Sequence, residues 1–153
     1  MAALLASSGG FLLAVLWIDL LFDVQVLRVR DTAQDLPEEL LSSIAAYYRR
    51  VTTEARPLTY LVGTVMAIAV GGTLAQLELG PASRAISLVS LLLCGGPILL
   101  AGMRTYPNAV RLGTRLDPLA EQSRLARAIC RDHLLCLGGI FGFICLQVWL
   151  ALS

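Results

Sequence analysis

Four stretches of the chain are almost uninterruptedly apolar: Phe11 to Leu27, Leu58 to Leu79, Ile86 to Met103 and Leu134 to Leu152. Each approaches or reaches the roughly 20 residues an α-helix needs to cross about 30 Å of hydrocarbon. None alternates as a half-buried strand does. The pattern predicts an all-α, polytopic membrane four-helix bundle, with residues 1–153 as a single membrane domain. The first stretch lacks a positive leader region, and Asp19 and Asp23 interrupt it where a signal's apolar core would end. It therefore reads as a span.

The two longer connections, 28–57 and 104–133, also read as helical. In the first, Pro37 suits the first helical position, with Glu38 and Glu39 near the positive end of the dipole. Leu40, Ile44, Tyr47 and Val51 follow at helical spacing. In the second, Asp117 is placed to cap and Pro118 to start a helix that runs unbroken into the fourth span. From Pro118 to Leu152 it would be about 52 Å long. Residues 43–49 and 123–131 are both Ser-led, Ala-rich and Arg-ended. Two readings stand: duplicated hairpins related by an axis along the membrane normal, or two independent arginine-rich interfacial helices.

Composition agrees with the pattern. Hydrophobic residues make up 57% of the chain and charged residues 15%, where soluble domains sit near 45–50% and about 25%. All twelve fixed cations are arginines. The absence of lysine excludes Schiff-base chemistry and a P-loop, and the one histidine excludes a two-histidine metal motif. Arg28, Arg30, Arg49, Arg50 and Arg56 lie between spans one and two. Arg104, Arg111, Arg115, Arg124, Arg127 and Arg131 lie between spans three and four, leaving only Arg84 in the short connection. The positive-inside rule then puts both long connections in the cytoplasm and both termini on the far side, as in a bacterial-type inner membrane.

Small residues mark expected packing seams: Gly63, Ala67 and Gly71 on span two, and Gly138 and Gly142 on span four. Pro97 in mid span three cannot donate to the Leu93 carbonyl and is expected to kink that helix.

Few polar residues remain inside the spans. Asp19 and Asp23, four apart, share one helix face; counted from Arg28 they lie about 13 and 7 Å deep. A buried charge of this kind costs about 2.5–3.5 kcal/mol on insertion scales, so the pair should face the interior or a wet cavity. It reads as a catalytic acid/base, a proton relay or a counter-ion for a ligand; equally, as a structural partner for an arginine or His133. His133 opens the fourth span beside Asp132, with Cys136 one turn on. Asp23, His133 and Cys136 could converge as transition-metal ligands, but an interfacial histidine bonded to a carboxylate suits one lone histidine better, and no metal or cofactor is assigned. Cys94, Cys130, Cys136 and Cys145 contain no CxxC and read as reduced fillers, with Cys130 the exposed one. Around Tyr47–Tyr60 and Arg104–Arg115, a polar mouth to a bundle cavity is expected, with Arg49, Glu54, Asn108 and His133 as ligand-binding residues. The other reading of these segments is an aromatic belt touching anionic lipids. A net charge of only +1, with basic residues hugging the bilayer, argues against nucleic acid.

The segment Tyr106-Pro107-Asn108-Ala109-Val110-Arg111-Leu112, after the third of four spans, resembles the anthrone-oxygenase-like four-helix membrane family, with Asn108 and Arg131 at the matching positions. The family's usual Trp before the last helix is absent. The resemblance implies a cofactor-free membrane oxygenase, or a relative without that activity. Phe22-Asp23-Val24-Gln25 is similar to the first helix of sterol-isomerase and sigma-2-receptor-type proteins, whose later acids are missing here. The expected function is binding or transforming a small hydrophobic molecule in a cytoplasm-facing cavity through the acid pair. The alternative is a non-catalytic membrane subunit. Expected partners are membrane lipids, the hydrophobic ligand, and either a second copy or a larger membrane protein.

Overall fold

The computed structural model describes residues 1–29, 31, 34–79 and 84–153, apart from the side chain of Arg56. Arg30 and the Arg56 side chain, two of the cations used above to orient the chain, thus lie outside the described residues. Among those described there is no strand, and six α-helices follow one another: α1 (Ala2–Asp23), α2 (Glu38–Arg49), α3 (Arg56–Leu79), α4 (Arg84–Leu100), α5 (Tyr106–Thr114) and α6 (Leu119–Leu152). A 3₁₀ turn (Val24–Arg28) extends α1. π-helical turns follow α2 (Arg50–Glu54) and join α4 to α5 (Ala101–Thr105).

Four helical runs are long and apolar enough to cross a membrane: Ala2–Arg28, Pro57–Leu79, Arg84–Thr114 and Leu119–Leu152. Their polarity is inside out relative to a soluble bundle. Trp17, Leu92, Leu99, Met103, Leu135 and Trp149 face outward, while Thr73, Gln76, Ser87, Ser90, Asp132, His133 and Gln147 are buried. Outward apolar faces need lipid, and buried polar groups need each other. The protein is a multi-pass membrane helix bundle.

In the bundle α1 borders α3 and α6, and α4 borders the same two, so the four runs close a ring. Leu5, Leu12, Ala69, Cys94, Ile140 and Phe143 fill its centre. A second core forms at the arginine-rich end, where α2 folds against α5 and the first half of α6. It contains Leu41, Ile44, Ala45, Tyr48, Leu112, Leu125, Ala126 and Ile129. Leu36, buried before α2, donates its N–H to Ser123 Oγ at 2.9 Å and ties this layer to α6.

Several local expectations are corrected. The helix of the third apolar stretch does not stop at Met103: a π turn carries the backbone through the region after Pro97 and on into α5, which ends at Thr114. Pro37 caps α2 from outside the first turn. Pro118 rather than Asp117 is the N-cap of α6, which begins at Leu119, and Asp117 accepts instead from Arg111 Nη2 at 2.7 Å. As expected, segment 123–131 is continuous with the fourth span, whereas α2 reaches the second span through a π turn.

At two positions the close packing falls on the next glycine along, Gly72 for Gly71 and Gly139 for Gly138. A Cβ on Gly63, Gly71 or Gly138 would meet nothing within 4 Å. Beside the last two it would collide: 2.7 Å from Leu5 Cδ2 at Gly72, and 2.6 Å from Pro97 Cγ at Gly139. Gly9 is equally close to Ile144 Cγ1, at 2.7 Å, while Gly142 makes only an ordinary contact with Leu93. Gly113 lets α5 approach the α2 backbone, where a Cβ would lie 3.0 Å from Arg49 N.

Candidate functional site

Where the two cores meet they leave a cavity of about 340 Å³, within the roughly 300–1,000 Å³ of small-molecule sites. Its walls are apolar: Leu12, Val15 and Leu16 from α1, Val62 and Met66 from α3, Ile98 from α4 and Ile140 from α6. One end is polar, lined by Asp19, Tyr47, Tyr48 and His133. The lining also includes the exposed Gly63 of α3 and Gly102 of the second π turn. The mouth therefore lies on the side of the bundle, between α3 and the α4–α5 junction.

Three helices build the polar end. Asp19 and Asp23 sit four residues apart on α1, so both turn toward α6. There His133 lies between them, with Nδ1 2.6 Å from Asp23 Oδ2 and Nε2 3.8 Å from Asp19 Oδ2. From α2, Tyr48 donates to Asp23 Oδ1 and Tyr47 to Asp19 Oδ1, each at 2.6 Å. The Tyr47 ring stacks on Phe22, with centroids 4.1 Å apart. Burial first, and the facing carboxylates next, push both tyrosine hydroxyls above their ordinary pKa, so they remain donors.

The two aspartates have different surroundings. Asp23 is fully buried, does not line the cavity, and has one donor on each oxygen if the Nδ1 proton is assigned to His133. That assignment leaves His133 Nε2 free of its proton, on the cavity side and opposite Asp19. A carboxylate that orients an imidazole through Nδ1 and leaves Nε2 to work is the arrangement of a general base. Asp19, in contrast, reaches the cavity directly.

Of the other expected ligand-binding residues, none lines this cavity. Arg49 and Glu54 pair with each other at 3.3 Å, both more than half exposed. Arg49 is two positions beyond Tyr47, about 200° around the helix and so on the outer face. Asn108 is likewise two positions from Tyr106, which does line the cavity, and it faces a separate groove between α5 and α6. Asp23 and His133 do converge, but Cys136 donates to the Pro97 carbonyl at 3.5 Å. Among the described residues no group of three His, Cys, Asp or Glu side chains is placed to hold a metal. Cys130 is buried and Cys145 exposed, the reverse of the expected accessibility.

Tyr47 and Tyr48 were visible only as part of a polar cluster, without a role. The available signal was two adjacent phenols ending an amphipathic helix whose neighbouring span carries two acids. Compared with protein families, characterised proteins and solved structures, the chain matches none.

Proposed function

We propose that the protein binds, and by proton transfer transforms, a small hydrophobic molecule whose polar end meets Asp19 and His133 inside the membrane. The observation that carries this reading is the Asp23–His133–Asp19 array at the closed end of an otherwise apolar cavity. Its head carries two carboxylates against one imidazole. An anionic head group is therefore disfavoured, and a hydroxyl or amine fits. A hydroxyl lodged between His133 Nε2 and Asp19 Oδ2 donates its one proton to Nε2, and an amine has a proton for each of the two acceptors. His133 takes a proton from that group, and Asp23 and Asp19 stabilise the resulting imidazolium.

In this reading the arginine-rich end faces the cytoplasm of a bacterial-type inner membrane, with both termini outside. Its support is the placement of eleven of the twelve arginines in the two long connections. The ligand enters from the lipid between α3 and the α4–α5 junction, because the expected mouth residues Arg49, Glu54 and Asn108 face elsewhere. The anthrone-oxygenase-like resemblance remains a proposal for the fold's ancestry; its matching positions, Asn108 and Arg131, belong to the other groove.

A second reading has its own observation: Asp23, His133 and Tyr48 tie α1, α6 and α2 together, which suits a structural pin in a non-catalytic subunit. Mass spectrometry of small molecules retained through mild-detergent purification separates the two. A hydrophobic alcohol, phenol or amine should accompany the wild type. It should be lost from Asp19→Asn and from Gly63→Leu/Gly102→Leu, which obstructs the mouth without disturbing the array. An unchanged set of retained compounds, together with a stoichiometric co-purifying protein, would favour the pin.

A further inference from the structure

The groove between α5 and the first half of α6 is separate from this site. It has a volume of about 750 Å³ and is lined by Arg104, Asn108, Arg111, Arg124, Arg127 and Arg131, with Asp35 on its edge. Most of these arginines are already engaged. Arg111 is held by Asp117 at 2.7 Å and by Glu121 at 3.2 Å. Arg124 grips Glu121 through Nε and Nη2 at 2.9 and 2.7 Å. Arg127 Nη2 donates to the Asp31 and Gln34 carbonyls.

Arg104 and Arg131 are held differently. Both meet Asp132, which is only 1% exposed, and both do so through Nε, at 3.2 and 3.7 Å. Neither Asp132 oxygen has a hydrogen-bond partner. A guanidinium that turns its Nε toward a carboxylate in an ion pair keeps its two terminal amino groups for another acceptor, in a planar fork that matches two phosphate oxygens. Asn108, on the same groove, adds an amide donor with no partner of its own among the described residues. The groove also lies at one level of the bundle. Arg104 follows the last apolar residue of the third stretch, and Arg131 comes three residues before Leu134 opens the fourth. By the hydrophobic pattern, that level is the boundary between hydrocarbon and water, where lipid phosphates reside.

We propose that this groove is a phosphate-binding site, with Arg104 and Arg131 as the two forks, Asn108 as a third donor and Asp132 as the residue that positions both arginines. The occupant carries a phosphate oxyanion, either on the headgroup of an anionic phospholipid or as a free ion. Asp35 opposes it from the edge.

The test is thermal melting of the full chain in zwitterionic micelles, titrated with dioleoylphosphatidylglycerol, with dioleoylphosphatidylcholine, or with inorganic phosphate against chloride at matched ionic strength. Phosphatidylglycerol should stabilise the wild type selectively. Arg104→Gln and Arg131→Gln should each weaken its apparent affinity by about tenfold or more, in keeping with charge-assisted bonds. Asp35→Asn should strengthen it. Arg50→Gln, away from the groove, should leave it unchanged. Asp132→Asn should collapse the preference for phosphatidylglycerol over phosphatidylcholine, whereas simple loss of stability would lower the response to both lipids alike. A shift with inorganic phosphate alone, showing the same arginine dependence, keeps the site and makes its occupant soluble. Equal weakening by Arg50→Gln, or wild-type selectivity in the Arg104→Gln/Arg131→Gln double variant, overturns the proposal.

Discussion

Replacing Tyr48 by Phe removes one oxygen from the interior and leaves the ring in place. That oxygen is the donor to Asp23 Oδ1, 2.6 Å away in a fully buried setting, and without it Asp23 keeps only His133. Hydrogen bonds between neutral groups of membrane helices average about 0.6 kcal/mol. A bond to a charged group contributes about 1.5–3 kcal/mol, and a buried acceptor left without its donor has no water to turn to. Tyr48→Phe should therefore lower stability by about 2 kcal/mol. Tyr47→Phe serves as the internal comparison, since it deletes an equally short bond to a carboxylate that lines the cavity and can be hydrated. Its cost should stay near 0.5–1 kcal/mol. The assay is equilibrium unfolding in mixed micelles of graded denaturing detergent, followed by helical circular dichroism. A double-mutant cycle with Asp23→Asn should return a coupling of at least about 1 kcal/mol for the Tyr48 pair. If Tyr47→Phe proves as costly as Tyr48→Phe, or the coupling vanishes, the array does not hold an ionised Asp23 and the general-base argument falls with it.

Two further outcomes follow from the geometry. Gly113→Ala should destabilise by about 1–3 kcal/mol, because its Cβ meets the Arg49 backbone at 3.0 Å and backbone cannot step aside. Gly71→Ala, with open space around it, should be neutral or stabilising by up to about 1 kcal/mol in the same unfolding assay. The raised pKa of Tyr47 and Tyr48 gives a pH dependence with a definite sign. The unfolded chain releases these protons near pH 10 and the folded one only at higher pH. Their contribution is thus complete below about pH 10 and is lost as pH rises beyond it. Melting curves from pH 8 to 11.5 should show a steeper alkaline decline for the wild type than for Tyr47→Phe/Tyr48→Phe.

Hydrophobic pattern carried the reading a long way, because a span is defined by its own composition and needs no partner to be recognised. The shared face of Asp19 and Asp23 was legible for the same reason: four residues on one helix is local geometry. Contacts between elements were not. Tyr48 reaches Asp23 only because α2 folds back under α1, and nothing within either segment announces that return. Adjacent glycines show the limit most clearly. In Gly9–Gly10, Gly71–Gly72 and Gly138–Gly139, one member receives a neighbouring side chain and the other meets open space. Spacing rules find the pair, but the neighbour's position chooses between its members. Asn108 failed likewise: its chemistry was right for a site, but a rotation of about 200° from Tyr106 assigned it to a different one.

The two π turns each place residues on the cavity: Val51 and Thr52 from the first, Ala101, Gly102 and Thr105 from the second. A π turn behaves as one residue inserted into an α-helix, and each inserted residue turns everything beyond it by about 100°. The second one thereby sets the phase of α5 against α4: Tyr106 and Ala109 toward the cavity, Asn108 and Arg111 toward the arginine groove. The cavity and the arginine groove are thus phased by one extra residue. Removing Gly102 would keep every side chain of α5, yet turn each out of the pocket it now serves.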